Sequence, residues 1–518
     1  MAEAVLNKGS APRALALDAL RGWAIITMCL SGVVPWGGLP SWMYHAQQVG
    51  TMGIHGLKYD LTVPGYTWVD LVFPAFLFSM GVAFPFALSS RLKKGVPMWQ
   101  IVAGIFGRGA SLVAFAIYAR HIAPWDLSKD PTVWTHLTSL LAFAILFPIY
   151  MRLPDSWSKN AVWFTRSAGL VAACVLLSQL RYPDGTGFRV TRSDIILLVL
   201  SNMAVWGSLI WLLTRNNLIW RFGAMGLVAA AIWADKVPGS WVNTVFTPQL
   251  PAAVAAFCKE NFGFSDLTWF YQFRFTKYLL VVLPGTIVGD LLMQWMKRSE
   301  NADDHGRGSL PIGLLSIFCL LVVIWMHVGL HGRWVFATAI SVIPLTALVH
   351  YYLSTLPTAN KTDAFLKALF GWGAFWLALG LLCEPLEGGI KKDNSTMSYY
   401  FVSTGISIMI LVCFTVWIDL YRKERWFWLL IANGQNPMLA YVGIRNLLAP
   451  VVNIIPVGAT SLENWAFSVL GGEVVTRNGQ VVADVWRYWR MFIWSLTKTL
   501  AFSTVVGLCT RFKIIWRS

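Results

Sequence analysis

The sequence predicts an all-α polytopic integral membrane protein with about 11–14 transmembrane helices, and three observations carry that reading. Charged residues make up 13% of the 518 residues, against about 25% in an ordinary soluble domain, and apolar residues reach 56%. Apolar runs of roughly 20 residues recur along the whole chain, long enough for a helix to cross a bilayer. They lack the short alternating pattern of a β-barrel, so each span has to be helical.

The first run, 16–38, follows a basic N-terminus with Lys8, Arg13 and Arg21 and has no small-residue cleavage pattern, so it reads as a retained first span. Next come 66–89, 97–119, 134–152, 162–180, 194–213 and 217–234, then 277–296. After the polar stretch 297–309, "KRSENADDHGRGS", come 310–329, 334–353, 366–383, 399–420, 427–450 and 490–510. This divides the chain into an N-terminal bundle (1–296), a polar linker (297–309) and a C-terminal bundle (310–518). Gly and Pro interrupt 366–383 and 427–450, which are expected to be broken or re-entrant. Many of the 28 tryptophans, among them Trp36, Trp42, Trp68, Trp99, Trp134, Trp334 and Trp426, sit at the ends of these runs, as interfacial anchors do.

The formal charge of +16 would suggest a nucleic-acid partner in a soluble protein. Here the basic blocks Arg91/Lys93/Lys94, Arg215/Arg221, Lys297/Arg298 and Arg422/Lys423/Arg425 fall at every second connection. That is the positive-inside pattern of cytoplasmic loops, with membrane lipid as the partner and the N-terminus on the cytoplasmic side. The longer connections 39–65, 120–133, 181–193, 235–275, 384–398 and 451–488 then lie on the opposite face. The seven cysteines never reach CxxC spacing, which argues against a disulfide framework or a structural metal.

An ionisable group at membrane depth is costly unless paired or hydrated, so the few present are functional candidates. They are Asp70, Arg108, Asp290, His327, His331, His350, Glu384, Glu387, Arg445 and Lys498. For each, the bland alternative is an interhelical hydrogen bond or a snorkelling end residue. His327 and His331 have an i, i+4 spacing that suits zinc, but no HExxH accompanies them and no metal is expected. In "LALDALRGWAII", Asp18 and Arg21 share one helix face at the start of the first span and can pair. The functional version of that pair offers Arg21 to a phosphorylated cofactor.

Four stretches carry a resemblance: "LDALRG" at 17–22, "PGYTWVDLVFPAFLFSMG" at 64–81, "EGGIKKDNSTMSYYFVSTG" at 387–405 and "NGQNPMLAYVG" at 433–443. Together they resemble the heparan-α-glucosaminide N-acetyltransferase family and its bacterial relatives, some of which are grouped only as a domain of unknown function. The resemblance covers both ends of the chain and leaves about 120–300 unmatched. It implies a transmembrane acyltransferase of a bacterial inner membrane. Such an enzyme takes acetyl-CoA from the cytoplasm and acetylates an amino sugar or sugar on the far side, with a homodimer as one possible assembly.

In that family a His-Ala pair ahead of the DLVFP signature carries the catalytic histidine, which falls here on His45-Ala46, and the signature aspartate falls on Asp70. The spacing between them is wider than the family's, and His55, inside the intervening insertion, is a rival base. A histidine suits proton abstraction near neutral pH, with Asp70 orienting it. Direct transfer and an acetyl-histidine intermediate both remain open. Arg21 is the leading contact for CoA phosphates, with Arg91 and Lys94 behind it. The amides Asn433, Gln435 and Asn436 are expected along the cofactor's route, and Glu387, Lys391, Lys392 and Asp393 at the sugar. The competing class is a secondary transporter for a sugar or amino sugar, with Asp70 or Asp290 as the proton-coupling acid. A purely structural scaffold is a third.

Overall fold

A computed structural model describes residues 14–49, 58–246, 249–269, 273–298, 311–358, 360–471, 476–477, 480–481 and 485–516. His55, Lys8 and Arg13, and all but the first two residues of the 297–309 linker, lie outside the described residues. The helices of the first half are α1 (Leu15–Ser31), α2 (Trp68–Lys93), α3 (Met98–His121), α4 (Pro124–Leu127), α5 (Val133–Tyr150), α6 (Lys159–Gln179), α7 (Ile195–Thr214), α8 (Leu218–Asp235), α9 (Trp241–Phe246), α10 (Ala252–Phe262), α11 (Phe273–Thr276) and α12 (Leu279–Arg298). The second half adds α13 (Ile312–His331), α14 (Val335–Thr355), α15 (Lys361–Cys383), α16 (Met397–Phe414), α17 (Trp428–Gln435), α18 (Pro437–Gly443), α19 (Ala449–Ile454), α20 (Leu462–Gly471) and α21 (Val485–Arg511). The only sheets among the described residues are three two-stranded hairpins.

Among the described residues, 13 helical segments are long and apolar enough to cross a membrane, so the chain is an all-α polytopic membrane protein. Helix α1, with 17 residues, spans about 26 Å. The run 16–38 thus loses its last residues to a loop, because Gly32, Pro35, Gly37, Gly38 and Pro40 end the helix. With successive spans running in opposite directions, the described residues of the connections after α1, α3, α6, α8, α13, α15 and α19 lie at one end of the bundle, here the loop end. The connections carrying Arg91, Lys93 and Lys94, Arg215, and Arg422, Lys423 and Arg425 lie at the other, basic end.

The core is the packing of α1, α2, α12, α15, α16 and α17. Helix α2 lies against α1 and α12, α15 against α16, and α1 against α17, so helices from both sides of the 297–309 linker interleave. The α1–α17 crossing is close because both surfaces carry glycine: a Cβ at Gly434 would sit 1.8 Å from the Asp18 carbonyl oxygen, and one at Gly22 1.8 Å from that of Leu430. Small residues that let backbones touch are the usual adhesive where lipid offers no hydrophobic drive. At α8, Arg221 is fully buried and pairs with Asp290 of α12 at 2.6 Å, while the Trp211 indole of α7 donates to the same carboxylate at 3.3 Å.

The run 427–450 is broken, as its Gly and Pro residues suggest. Asn436 leaves helical geometry (φ −128°, ψ 54°), Pro437 starts α18 without needing its missing N–H, and a π-helical stretch, Ile444–Leu448, joins α18 to α19. A second π-helical stretch, Thr415–Leu420, ends α16.

Candidate functional site

The site is built where α1 stops and α2 starts. After Gly32 the chain loops through a short 3₁₀ turn, Ser41–Met43, and is pinned by buried Tyr44. The Tyr44 hydroxyl donates to the Pro35 carbonyl at 2.7 Å and accepts from the Gly38 and Leu39 amides. The Tyr44 carbonyl in turn accepts from Thr67 Oγ1 at 2.7 Å, which ties the loop to the start of α2. Between these two pins the next residue, His45, is held over the α2 N-terminus.

Asp70 is the third residue of α2, where the helix dipole favours negative charge. Its Oδ2 accepts from the backbone amides of Thr67 and Ala46, both at 3.1 Å, and its Oδ1 meets His45 Nδ1 at 2.7 Å. Tyr399 of α16 donates to the Asp70 carbonyl at 3.0 Å. The Asp70 side chain is 2% exposed and that of His45 22%, so the acid is sealed while the imidazole stays reachable. A carboxylate can only accept, so we assign the His45 proton to Nδ1, which leaves the Nε2 lone pair facing outward.

Lys392 lies over the imidazole ring, its Nζ 3.1 Å from Nε2 and 3.3 Å from Nδ1. It is carried by the connection 384–396, docked onto the His45 loop through buried Gln47. Gln47 Oε1 accepts from the Asp393 amide at 2.8 Å, and its Nε2 donates to the carbonyls of Asp393 at 2.9 Å and Leu61 at 3.2 Å. Tyr59 donates to the Asp393 carboxylate, and the Gly65 amide to the Ile390 carbonyl at 2.8 Å. Within this connection Glu387 (φ 60°) and Asn394 (φ 50°) adopt left-handed backbone, a strain of about 1–3 kcal/mol each that persists only where neighbours enforce it. At Glu387 the enforcing contacts are the ion pair with Lys236 and the Met397 amide, which it accepts at 2.8 Å.

His45 stands at one margin of a cavity of about 1350 Å³ that runs between the end of α1, the 441–453 region and α21. Its walls include Met28, Cys29, Trp36, Trp125, Tyr441 and Arg445. Arg445 pairs with Asp126 at 2.6 Å, and Arg120 with the same carboxylate at 2.9 Å. Tyr441 donates to Asp194 at 3.1 Å. A second cavity of about 670 Å³ shares Arg120, Asp194 and Ile196 with it. Two buried polar atoms on the larger cavity's wall, His136 Nδ1 and Asn446 Oδ1, have no partner among the described residues. Unsatisfied buried groups of this kind call for a ligand or ordered water.

The structure thus joins His45 and Asp70, brings Lys392 to them, and separates Glu387, Lys391, Asn433, Asn436 and Arg21 from them. Glu387 braces its own connection, and the Lys391 ammonium points to the Gly388 side, so neither approaches His45; the adjacent Lys392 does. Glu384 is likewise structural, paired with Arg333 at 2.7 Å and accepting from the Ile390 amide. Asn433 donates to the Ser503 carbonyl of α21, and Asn436 grips the C-terminal turn through the Ile514 carbonyl and the Trp516 amide. Both amides therefore brace the fold instead of lining the larger cavity. Arg21 lies at the basic end, 3.5 Å from Asp18, and donates to the Ser79 and Gly434 carbonyls. Arg91 lies across Gly104 of α3, one turn from Arg108, so three helices bring guanidinium groups to this end. His331 meets Ser41 at 3.0 Å and His327 bonds back to the Val323 carbonyl. No group of three or more His, Cys, Asp or Glu among the described residues is placed to hold a metal ion.

Fold and site together define a polytopic α-helical membrane protein with a buried-acid histidine dyad beside a large cavity. Residues 13–292, more than half of the chain, match the family described as a domain of unknown function (DUF5009), and the chain belongs to that family. The match takes in His45 and Asp70 and stops short of Lys392. No curated protein matches the chain.

Proposed function

We propose that the protein is an acyltransferase that moves an acetyl group from acetyl-CoA to an amino sugar or sugar, with its N-terminus in the cytoplasm of a bacterial inner membrane. The observation that carries this is the His45–Asp70 dyad, with its reachable Nε2, at the margin of a cavity large enough for two substrates. His45 Nε2 takes the proton of the attacking amine or hydroxyl, and Asp70 holds the ring and stabilises the imidazolium that forms. The basic groups Arg21, Arg91 and Arg108 suit the phosphates of CoA at the opposite end. Asn433, Asn436, Glu387 and Lys391 are assigned no step in it. The permease alternative is weakened at Asp290, whose carboxylate is already neutralised by Arg221.

The test is transfer of labelled acetyl groups from acetyl-CoA to a panel of amino sugars by the purified protein, with His45→Ala beside wild type. Label is expected on a sugar and absent with His45→Ala. Undiminished transfer by the variant, or sugar uptake into proteoliposomes without acetyl-CoA, would overturn the reading.

A further inference from the structure

The position of the Lys392 ammonium is more specific than a general basic contact. Of the two imidazole nitrogens, Nδ1 is committed to Asp70, so only Nε2 can accept a proton from an attacking group. Lys392 Nζ lies over the ring, 3.1 Å from Nε2 and 3.3 Å from Nδ1, so a swing of the lysine side chain toward the Nε2 edge brings its amine in line with the base. Among the described residues no carboxylate forms an ion pair with Lys392, so its nearest polar partner is the imidazole itself. Both flanks of Lys392 are fixed, Asp393 by Gln47 and Lys391 by its backbone exchange with Thr396. The amine is therefore held at His45 and does not merely sweep past it.

We propose that Lys392 is a self-acetylation site, its amine held against the imidazole beside the position an acceptor amine would take, and receiving the acetyl group of a thioester when no sugar is present. The proposal rests on acetyl-CoA being the donor. In the step, the Lys392 ammonium first loses a proton through His45 Nε2 to water. The free amine then attacks the thioester carbonyl, the N–C bond forms and the C–S bond breaks. The second amine proton passes by way of His45 to the departing thiolate, leaving CoA thiol and a neutral Nε-acetyl-lysine. Burial holds the Lys392 ammonium below the usual lysine range, opposed by the nearby Asp70 charge, which favours the amine that has to attack. The product amide is stable and fills the space beside Nε2, so acetylation closes the site to sugar.

The experiment incubates the full-length protein in detergent with acetyl-CoA, with and without glucosamine, and locates acetyl groups by peptide mass spectrometry while counting acetylated sugar in the same samples. Lys391 is the internal control, since it shares the segment but points elsewhere. Lys392 is expected to be acetylated at least tenfold faster than Lys391. Glucosamine should slow that modification, and both His45→Ala and His45→Gln should reduce it to the Lys391 level, each variant checked for a monodisperse elution profile. Modification of Lys392 no faster than of Lys391, or equally fast without His45, overturns the proposal. Acetylated sugar with an unmodified Lys392 removes the proposal alone; acetylation of neither removes the acyltransferase reading with it.

Discussion

Replacing Asp70 by asparagine tests the dyad with almost no change of shape. The native Asp70 carboxylate serves two directions at once: one oxygen receives His45 Nδ1, and the other receives the Ala46 and Thr67 amides. Asparagine has a single acceptor oxygen. Turned toward the two backbone donors, that oxygen satisfies both, and the amide NH2 then confronts His45 Nδ1. The imidazole can answer only by accepting there, which moves its proton to Nε2 and removes the base. The opposite rotamer leaves two buried N–H groups facing another donor, at about 1–3 kcal/mol each, so the first is favoured. In a serine-protease triad the equivalent change costs about ten-thousand-fold through the same tautomer switch. Here a loss of about a thousand- to ten-thousand-fold in kcat is expected, about 4–5.5 kcal/mol in the barrier. Acetyl transfer would be followed over time, with thermal unfolding in detergent confirming that Asp70→Asn folds. A folded variant within tenfold of wild type would refute the tautomer argument.

Two further expectations follow from the packing. Gly434→Ala places a methyl group against the Asp18 backbone, and overpacking of this kind costs about 1–3 kcal/mol, so its unfolding temperature should fall. Gly223→Ala, where nothing lies within 4 Å, should match wild type; equal behaviour of the two would disprove the close α1–α17 crossing. Gln47→Ala strands the Asp393 amide and frees the Lys392 segment, so acetyl transfer and Lys392 modification should both change, with a stability loss of about 1–3 kcal/mol. A variant indistinguishable from wild type in all three measurements would show that the docked connection is incidental.

The helices were legible because lipid imposes one length and one composition on every span. Asp70 could be placed at the start of its helix, and Asp18 opposite Arg21, from sequence spacing alone. The pairing of His45 with Asp70 came from motif order, since the insertion between them hides any spacing rule. What stayed hidden is tertiary. Lys391 and Lys392 are adjacent and chemically identical, and only the docking of Asp393 onto Gln47 decides which of them turns toward the imidazole. Asn433 and Asn436 looked like cavity lining because polar amides in an apolar run are unusual. Their partners are carbonyl and amide groups some 70–80 residues away along the chain, near α21, and no local pattern announces them. Glu387 misled for a related reason, because a left-handed glutamate held by Lys236 has no signature in the string "LEGG".

Helix α1 also acts as a ruler. Arg21 stands near its beginning, and His45 hangs beyond its end, with about 15 Å of helical rise between Arg21 and Ser31 alone. A compact donor such as acetyl phosphate can touch one station or the other. A molecule that engages both has to be a long, slender one with its charge at one tip and its acyl group at the other. Under the acyltransferase reading, the length of one short helix would screen donors by reach before any chemistry begins.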